Sequence, residues 1–193
     1  MHHIHHTEGL VLGGYARGEA DKQISLYTRD FGLVKADARG VRKLSSKLRF
    51  ALQPYMVVRI DLINTKVAYR AGSTDLLLGI ETPDMATLAM LHRVASLIRR
   101  LVPEQEKNEP LYEAIIEVMN FLSKKSKEKL ISNVTSLELL AVFRILYHLG
   151  YVTESGERSI VREPITDQLL EQVAMRREDL VKEVNNSLRE TML

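Results

Sequence analysis

The chain has 193 residues, with 27 Lys and Arg against 25 Asp and Glu and no cysteine. This length is enough for one large domain or two small ones, and the lack of cysteine excludes disulfides and thiolate zinc sites within the chain. The longest apolar runs fall well short of the roughly 20 residues that a membrane-spanning helix needs, and the opening MHHIHH lacks the apolar core of a secretory signal. We therefore expect a cytoplasmic protein with no membrane partner.

Charge is distributed unevenly along the chain. Residues 1–78 carry 12 Lys and Arg against 7 Asp and Glu, a net of +5, whereas residues 79–193 carry 15 against 18, a net of −3. The hydrophobic period also changes near this point. We predict two domains, a nucleic-acid-binding domain over 1–78 and a helical bundle over 79–193.

The first 78 residues show the two-residue period of β-strands. Ile24 and Leu26 alternate with polar neighbours, RDFG supplies a turn in which Gly32 can take a positive φ, and YMVVRIDLIN alternates again after Pro54. Five short strands are predicted in about 75 residues. Because closure removes the exposed edges of so small a sheet, we expect a barrel of the oligonucleotide-binding (OB) type.

From Pro83 onward the apolar period is that of helices, so the predicted fold class is α+β, a five-stranded barrel followed by an all-helical domain. The first helix has a start signal at Thr82 and Pro83 and a stop at Pro103. A very apolar helix, the expected centre of a bundle, begins at Thr135 or Ser136 and ends at Gly150. Other helical segments are NEPLYEAIIEVMNFLSKK and ITDQLLEQVAMRREDLVKEVNNSLRETM, the second with one or two helices.

Residues 38–54, ARGVRKLSSKLRFALQP, form a segment that we call the basic loop, with five basic side chains and no acidic one. Guanidinium groups fit phosphate oxygens, and serine hydroxyls and glycine amides reach the same oxygens. The competing interpretation is a solvated surface, and for Arg39 an ion pair with Asp37 or Asp21. The candidate phosphate contacts are Arg39, Arg42, Lys43, Lys47 and Arg49, with Arg17, Lys22, Arg29 and Lys35 as weaker candidates.

Six motifs follow one another in the first half of the chain. They are T-x-G-L-V-L, G-E-A-D, L-x-T-R-x-x-G, A-R-G-x-R-K, S-x-L-R and L-Q-P-Y, at residues 7–12, 18–21, 26–32, 38–43, 46–49 and 52–55. In this order they closely resemble the N-terminal domain of the RecO family of recombination mediators in bacterial DNA repair. LELLAVFRILYHLGYV resembles the buried helix of the same family.

The resemblance implies an OB barrel joined to a helical domain. Independently of it, we expect no enzymatic activity and no cofactor. It implies binding of single- and double-stranded DNA, annealing of complementary strands and help in loading recombinase. The implied partners are a RecR-type mediator and the acidic C-terminal tail of the single-strand-binding protein. Many family members continue into a four-cysteine zinc site where this chain has TESGERSIVREPI, so the zinc lobe is expected to be missing or replaced.

Three other features have two interpretations each. His2, His3, His5 and His6 could bind a metal, although a frayed terminus is the simpler expectation. Glu19 and Asp21 could act as a carboxylate pair, but a turn explains them more simply. KKSKEK, at Lys124–Lys129, is either a solvated linker or a landing site for an acidic tail or DNA.

No nucleotide-binding or hydrolase motif is present, so we predict no catalytic residue. His92 and His148 lie in helical patterns and are expected to be packing or surface residues. The alternative function is a transcription regulator whose C-terminal half is winged-helix-like. The net charge of −3 in that half argues against it.

Overall fold

A computed structural model describes residues 3–65, 68–81, 83–124, 127–152 and 158–190. The chain divides into two compact units. The first consists of the described residues of Met1–Glu81 and Arg99–Tyr112, and the second of those of Thr82–Ile98 and Glu113–Leu193.

The first unit contains a closed five-stranded barrel with the strand order β1-β2-β3-β5-β4. All neighbouring strands are antiparallel except β3 and β5, which run parallel. The predicted fold class, an OB-type barrel followed by helices, is confirmed. The strands are β1 (Ile4–Arg17), β2 (Asp21–Thr28), β3 (Gly32–Ala38), β4 (Val57–Asn64) and β5 (Tyr69–Leu78).

Alternating side chains of these strands fill the barrel, as their sequence period predicts. Ile24 and Leu26 of β2 are buried in this core together with Val58, Ile60 and Leu62 of β4. Since side chains of adjacent residues point to opposite faces, the polar residues between them lie outside.

His3, His5 and His6 are ordered, contrary to the expectation of a frayed terminus, and His2 lies outside the described residues. The described part of β1 begins at Ile4, which pairs with Ile63, and His6 lies opposite Asp61 of β4. The amide of Asn64 also donates to the carbonyl of His3 over 2.9 Å. Pairing with β4 satisfies the backbone groups of this segment and orders it.

The segment Arg99–Tyr112 covers part of the outer face of β2 and β3. The Tyr27 hydroxyl donates to the carbonyl of Asn108 over 3.2 Å, and the amide of Gln105 donates to the carbonyl of Leu33 over 2.9 Å. Tyr27 and Leu33 are therefore buried although they lie outside the barrel core. This portion of the strand face is already occupied by protein.

The remaining elements are helical. In the described residues of the second unit no strand is found, so nothing there supports the winged-helix alternative. None of the described helices is long and apolar enough to span a membrane. The helices are α1 (Leu48–Ala51), α2 (Met85–Leu101), α3 (Glu109–Lys124), α4 (Lys127–His148), α5 (Arg158–Arg162), α6 (Asp167–Met175) and α7 (Arg177–Glu190).

Helix α2 begins later than its sequence signal indicates. Thr82 lies outside the described residues, and the residue that caps the helix is Asp84. Its carboxylate accepts from the amide of Thr87 over 2.8 Å and from the Thr87 hydroxyl over 3.0 Å. These bonds, the one from the amide first, lower the pKa of Asp84, as expected for a carboxylate that satisfies the free donors of a helix start.

Helix α4 corrects a second prediction, because its start is not at Thr135 or Ser136. It runs from Lys127 to His148, so both residues lie within it. No proline or glycine interrupts the sequence before Thr135, and the helix continues upstream. Its end is as predicted, since Gly150 takes a φ of 79° and Tyr151 donates to the carbonyl of Leu146.

A buried arginine links four parts of the second unit. Arg144 of α4 is only 2% exposed. Its guanidinium donates to Glu117 of α3 over 2.7 Å, to the carbonyl of Ile160 in α5 over 3.1 Å, and to the carbonyl of Glu163. The other carboxylate oxygen of Glu117 accepts from the amide of Ile165 over 2.7 Å. This network fixes α5 and residues 163–165 against α3 and α4.

Candidate nucleic-acid interface

The basic loop is fixed at both ends by apolar side chains that enter the barrel. Val41 lies three residues after the end of β3, and Ala51 and Leu52 lie at the end of α1; all three belong to the barrel core. Between these anchors Leu48 also packs against the core, and most of the other side chains are exposed. The backbone of the loop is therefore anchored to the barrel at both ends, and its exposed side chains face solvent.

Hydrogen bonds tie the start of the loop to the turn between β1 and β2. The amide of Arg42 donates to the carbonyl of Ala20, and its guanidinium donates to the carbonyl of Gly18, each over 2.9 Å. The amide of Gly40, which takes a φ of 65°, donates to the carboxylate of Asp21 over 2.7 Å. This bond ties the start of the basic loop to Asp21, the first residue of β2.

The five cations of the basic loop carry uncompensated charge. Within the part of the chain that the structure describes, none of them forms an ion pair with a carboxylate. The two acids that could have paired with Arg39 are engaged elsewhere, Asp37 by Arg17 at 2.8 and 3.0 Å and Asp21 by Gly40. Arg39, Arg42, Lys43 and Lys47 are exposed, and Arg49 is half-buried.

Two of the weaker candidates lie at the same end of the barrel as the loop. Lys22 pairs in register with Ala38, where the loop begins, and Arg17 pairs with Asp21. Arg17 is held by Asp37, so its charge is compensated locally. Lys22 is half-buried and lies beside the loop.

The other two weaker candidates are separated from the loop or neutralised. Arg29 lies beyond the opposite end of β2, about 24 Å from Lys22 at about 3.4 Å per strand residue. There its guanidinium stands over the Tyr112 ring, 5.4 Å from the centroid, and 4.0 Å from Glu8. Lys35 pairs with Glu104, and this hydrogen bond raises the pKa of Lys35. The structure thus divides the nine predicted residues into a cluster at one barrel end and two that stand apart.

Comparisons with known proteins identify the family to which the chain belongs. The family model described as Recombination protein O N terminal matches residues 1–67, and the one described as Recombination protein O C terminal matches residues 82–151. The chain belongs to the RecO family of DNA repair and recombination proteins.

Curated relatives named DNA repair protein RecO agree with this assignment. The relative from Pelotomaculum thermopropionicum is 30% identical over 132 residues, which is 66% of this chain and 50% of the relative. The relative from Caldanaerobacter subterraneus is 30% identical over 151 residues, 76% of this chain and 58% of the relative. That from Bacillus subtilis is 26% identical over 146 residues, 75% of this chain and 57% of the relative. The matches thus cover between half and three fifths of these RecO relatives.

The zinc site implied by the RecO resemblance has no thiolate ligands here, because the chain contains no cysteine. In the segment TESGERSIVREPI, residues 153–157 lie outside the described residues, and α5 (Arg158–Arg162) follows. The buried guanidinium of Arg144 binds the backbone of this segment through the carbonyls of Ile160 and Glu163.

Sequence reasoning missed the exposed apolar side chains of the basic loop in this RecO-family chain. Among the aromatic residues of the barrel unit, Tyr27 is fully buried outside the core, and Phe31 and Tyr69 pack against the core. However, Phe50 is 75% exposed and Leu44 is 86% exposed. Full burial of a phenylalanine contributes about 1.5–3 kcal/mol, and Phe50 forgoes most of that contribution. Leu48 and Ala51 of α1 pack inward, which leaves Phe50 on the outer side; the sequence period gave no signal for so short a helix.

The remaining candidates from the sequence are the N-terminal histidines and the Lys124–Lys129 cluster. His2 lies outside the described residues, the His5 ring packs 5.0 Å from that of Phe31, and His6 contacts Asp61 at 2.6 Å. No group of three or more potential metal ligands occurs among the described residues. Of Lys124–Lys129, Lys124 ends α3, residues 125 and 126 lie outside the described residues, and Lys127–Lys129 belong to α4.

Proposed function

We propose that this RecO-family chain is a non-enzymatic DNA-binding recombination mediator that acts in the cytoplasm. It binds single- and double-stranded DNA through their phosphates without sequence specificity, promotes annealing of complementary strands and assists recombinase loading. The observation that carries the proposal is the set of five cations of the basic loop, which no described carboxylate neutralises.

Charge of this kind suits phosphate contacts better than base reading. Each phosphate that a cation neutralises releases condensed counterions, and this release drives binding irrespective of sequence. Contacts to phosphates position a nucleic acid but carry no sequence information. The chain therefore needs no recognition helix for this role.

Annealing follows from the same electrostatics. Two complementary strands repel each other because both are polyanions, and a basic surface that binds both raises their encounter rate. No covalent bond is made or broken, so no catalytic residue is required.

The proposed protein partners rest on family membership. They are a RecR-type mediator and the acidic C-terminal tail of the single-strand-binding protein. The relatives' names speak only of DNA repair, so these partners need their own test. Calorimetric titration with the tail peptide would measure the second directly.

The experiment is a strand-annealing assay with complementary oligonucleotides, with and without single-strand-binding protein. The test variant replaces Arg39, Lys43 and Lys47 by alanine; Arg42 is left intact because its guanidinium binds the turn carbonyl of Gly18. The control variant replaces three cations outside the loop, Arg100, Lys107 and Lys182, and has the same net charge.

We expect the loop variant to anneal about tenfold more slowly or worse than the unmodified chain, because three phosphate contacts are lost. The control variant should anneal at nearly the unmodified rate. Equal rates for both variants would contradict the proposal, as would a chain that accelerates annealing of neither naked nor coated strands.

A further inference from the structure

Phe50 lies on the outer side of α1, next to a lysine. Leu48 and Ala51 pack into the barrel, so the side of the helix that carries Phe50 faces away from it. Lys47, the residue before the helix, already has helical angles, with φ −64° and ψ −26°. Side chains three residues apart on a helix are neighbours, with about 5–6 Å between their Cβ atoms. An exposed aromatic residue and an exposed lysine therefore lie three residues apart in one helical turn.

The surroundings of this pair indicate the chemistry of what binds there. The basic loop contains five cations and no acid, and its second exposed apolar residue is Leu44. A matching ligand must offer a flat apolar face and an anionic group a few ångströms away, repeated along a chain. Unpaired nucleotides have both, a free base face and a phosphate. In a duplex the base faces are stacked on one another and only the phosphates remain.

We propose that Phe50 stacks on an unpaired base while Lys47 binds an adjacent phosphate, so that the basic loop prefers single-stranded over double-stranded DNA. This inference rests on the proposed DNA binding and adds a residue that discriminates between the two substrates. The cations attract both single- and double-stranded DNA, and the ring of Phe50 adds affinity for the single-stranded form only.

The first test compares Phe50→Ala with the unmodified chain by fluorescence titration of a single-stranded oligonucleotide and of a blunt duplex. Loss of one stacked base weakens single-strand binding by about 5- to 150-fold, since such stacking contributes about 1–3 kcal/mol. Duplex affinity should change less than about twofold. The salt dependence of binding should be unchanged, because no charge is removed.

Two variants control for trivial causes. Met175→Ala removes an equally exposed apolar side chain of α6, at 85% exposure, and should leave both affinities unchanged. Phe50→Tyr keeps an aromatic ring and should retain the single-strand preference. The melting temperature of Phe50→Ala should remain that of the unmodified chain, because the side chain is exposed.

A spectroscopic test uses the fact that the chain has no tryptophan. Phe50→Trp places a single indole at the proposed stacking position. Its fluorescence should be quenched when single-stranded DNA binds and change little with the duplex.

The outcomes separate this inference from the proposed function. If the unmodified chain binds no DNA, both fail. If the unmodified chain binds and Phe50→Ala binds single strands equally well, only the stacking inference is overturned. An equal loss of single-strand and duplex affinity in Phe50→Ala would also overturn it, because the ring would then not discriminate between them.

Discussion

Gly32, at the turn between β2 and β3, is required for two separate reasons. Its φ is 61°, which favours glycine. A Cβ at this position would also lie 2.0 Å from the carbonyl oxygen of Glu106, in the segment that covers the strand face. Gly18 in the turn between β1 and β2 has a similar φ of 70° but no atom within 4 Å of an added Cβ. Substitutions at Gly18 and Gly32 therefore distinguish the cost of backbone strain alone from the cost of strain combined with a steric clash.

We predict that Gly18→Ala lowers the free energy of unfolding by about 1 kcal/mol, the cost of a left-handed alanine. Gly32→Ala should cost at least about 2 kcal/mol more, because the Glu106 backbone must also move. Urea unfolding monitored by circular dichroism measures both values. Equal losses would show that the approach of Glu106 does not constrain the turn.

The positive φ of Gly32 could be predicted from sequence, because RDFG between two apolar runs is a turn signal. The approach of Glu106 could not, since it joins residues 74 positions apart. The pairing of Arg17 with Asp37 has the same origin, because the two residues face each other only across β2. Sequence thus identifies the charged residues at this barrel end, and tertiary contacts decide which of them are neutralised.

At the scale of elements, the basic loop combines an anchored backbone with cationic side chains that form no ion pair with a described carboxylate. Inward-facing Val41, Ala51 and Leu52 hold it, and the bonds between Arg42 and the turn between β1 and β2 orient its first half. The predicted strand period on both sides of the loop indicated where it begins and ends. The period could not reveal α1, which is only four residues long, and so the outward position of Phe50 was missed.

Helix α4 ends in a histidine whose environment opposes protonation. Burial lowers the pKa of His148, and the nearby charges of Arg144 and Arg162 lower it further. The C-terminal end of a helix normally favours a protonated histidine. Here burial and the two guanidinium groups outweigh that effect of the helix dipole on the pKa of His148. The sequence interpretation of His148 as a packing or surface residue agrees with its half-buried position.

This shift predicts a pH dependence of stability. The folded-state pKa of His148 lies below its ordinary value of 6.5, so the unfolded chain binds the proton more tightly. Above pH 6.5 both states are neutral at this residue and it contributes no pH dependence; below that pH stability falls until the folded-state pKa is reached. One such group contributes a slope of at most about 1.4 kcal/mol per pH unit.

The measurement is the free energy of unfolding of the unmodified chain and of His148→Gln between pH 7.5 and pH 5. The decline with falling pH should be shallower in the variant, whatever its absolute stability. Parallel pH profiles would mean that His148 titrates alike in the folded and unfolded states.

At the scale of the whole molecule, a formal net charge of only +2 conceals a strong asymmetry. Residues 1–78 carry the positive excess, and within them the basic loop carries the part that neighbouring acids leave uncompensated. The contribution of Arg99–Tyr112 to the barrel unit could not be foreseen. The first residues of Arg99–Tyr112 continue the helical period of α2, so the local sequence does not indicate that the chain passes from the second unit to the first at this point.

The central claim is that the basic loop binds nucleic acid through phosphates, and its most direct test is the salt dependence of single-strand binding. The logarithm of the association constant is plotted against the logarithm of salt concentration for the unmodified chain and for the variant with alanine at Arg39, Lys43 and Lys47. Each phosphate contact on a single strand contributes about 0.7 to the slope, so the variant's slope should be smaller by about 2. An unchanged slope and affinity would contradict the claim and place the DNA-binding surface elsewhere.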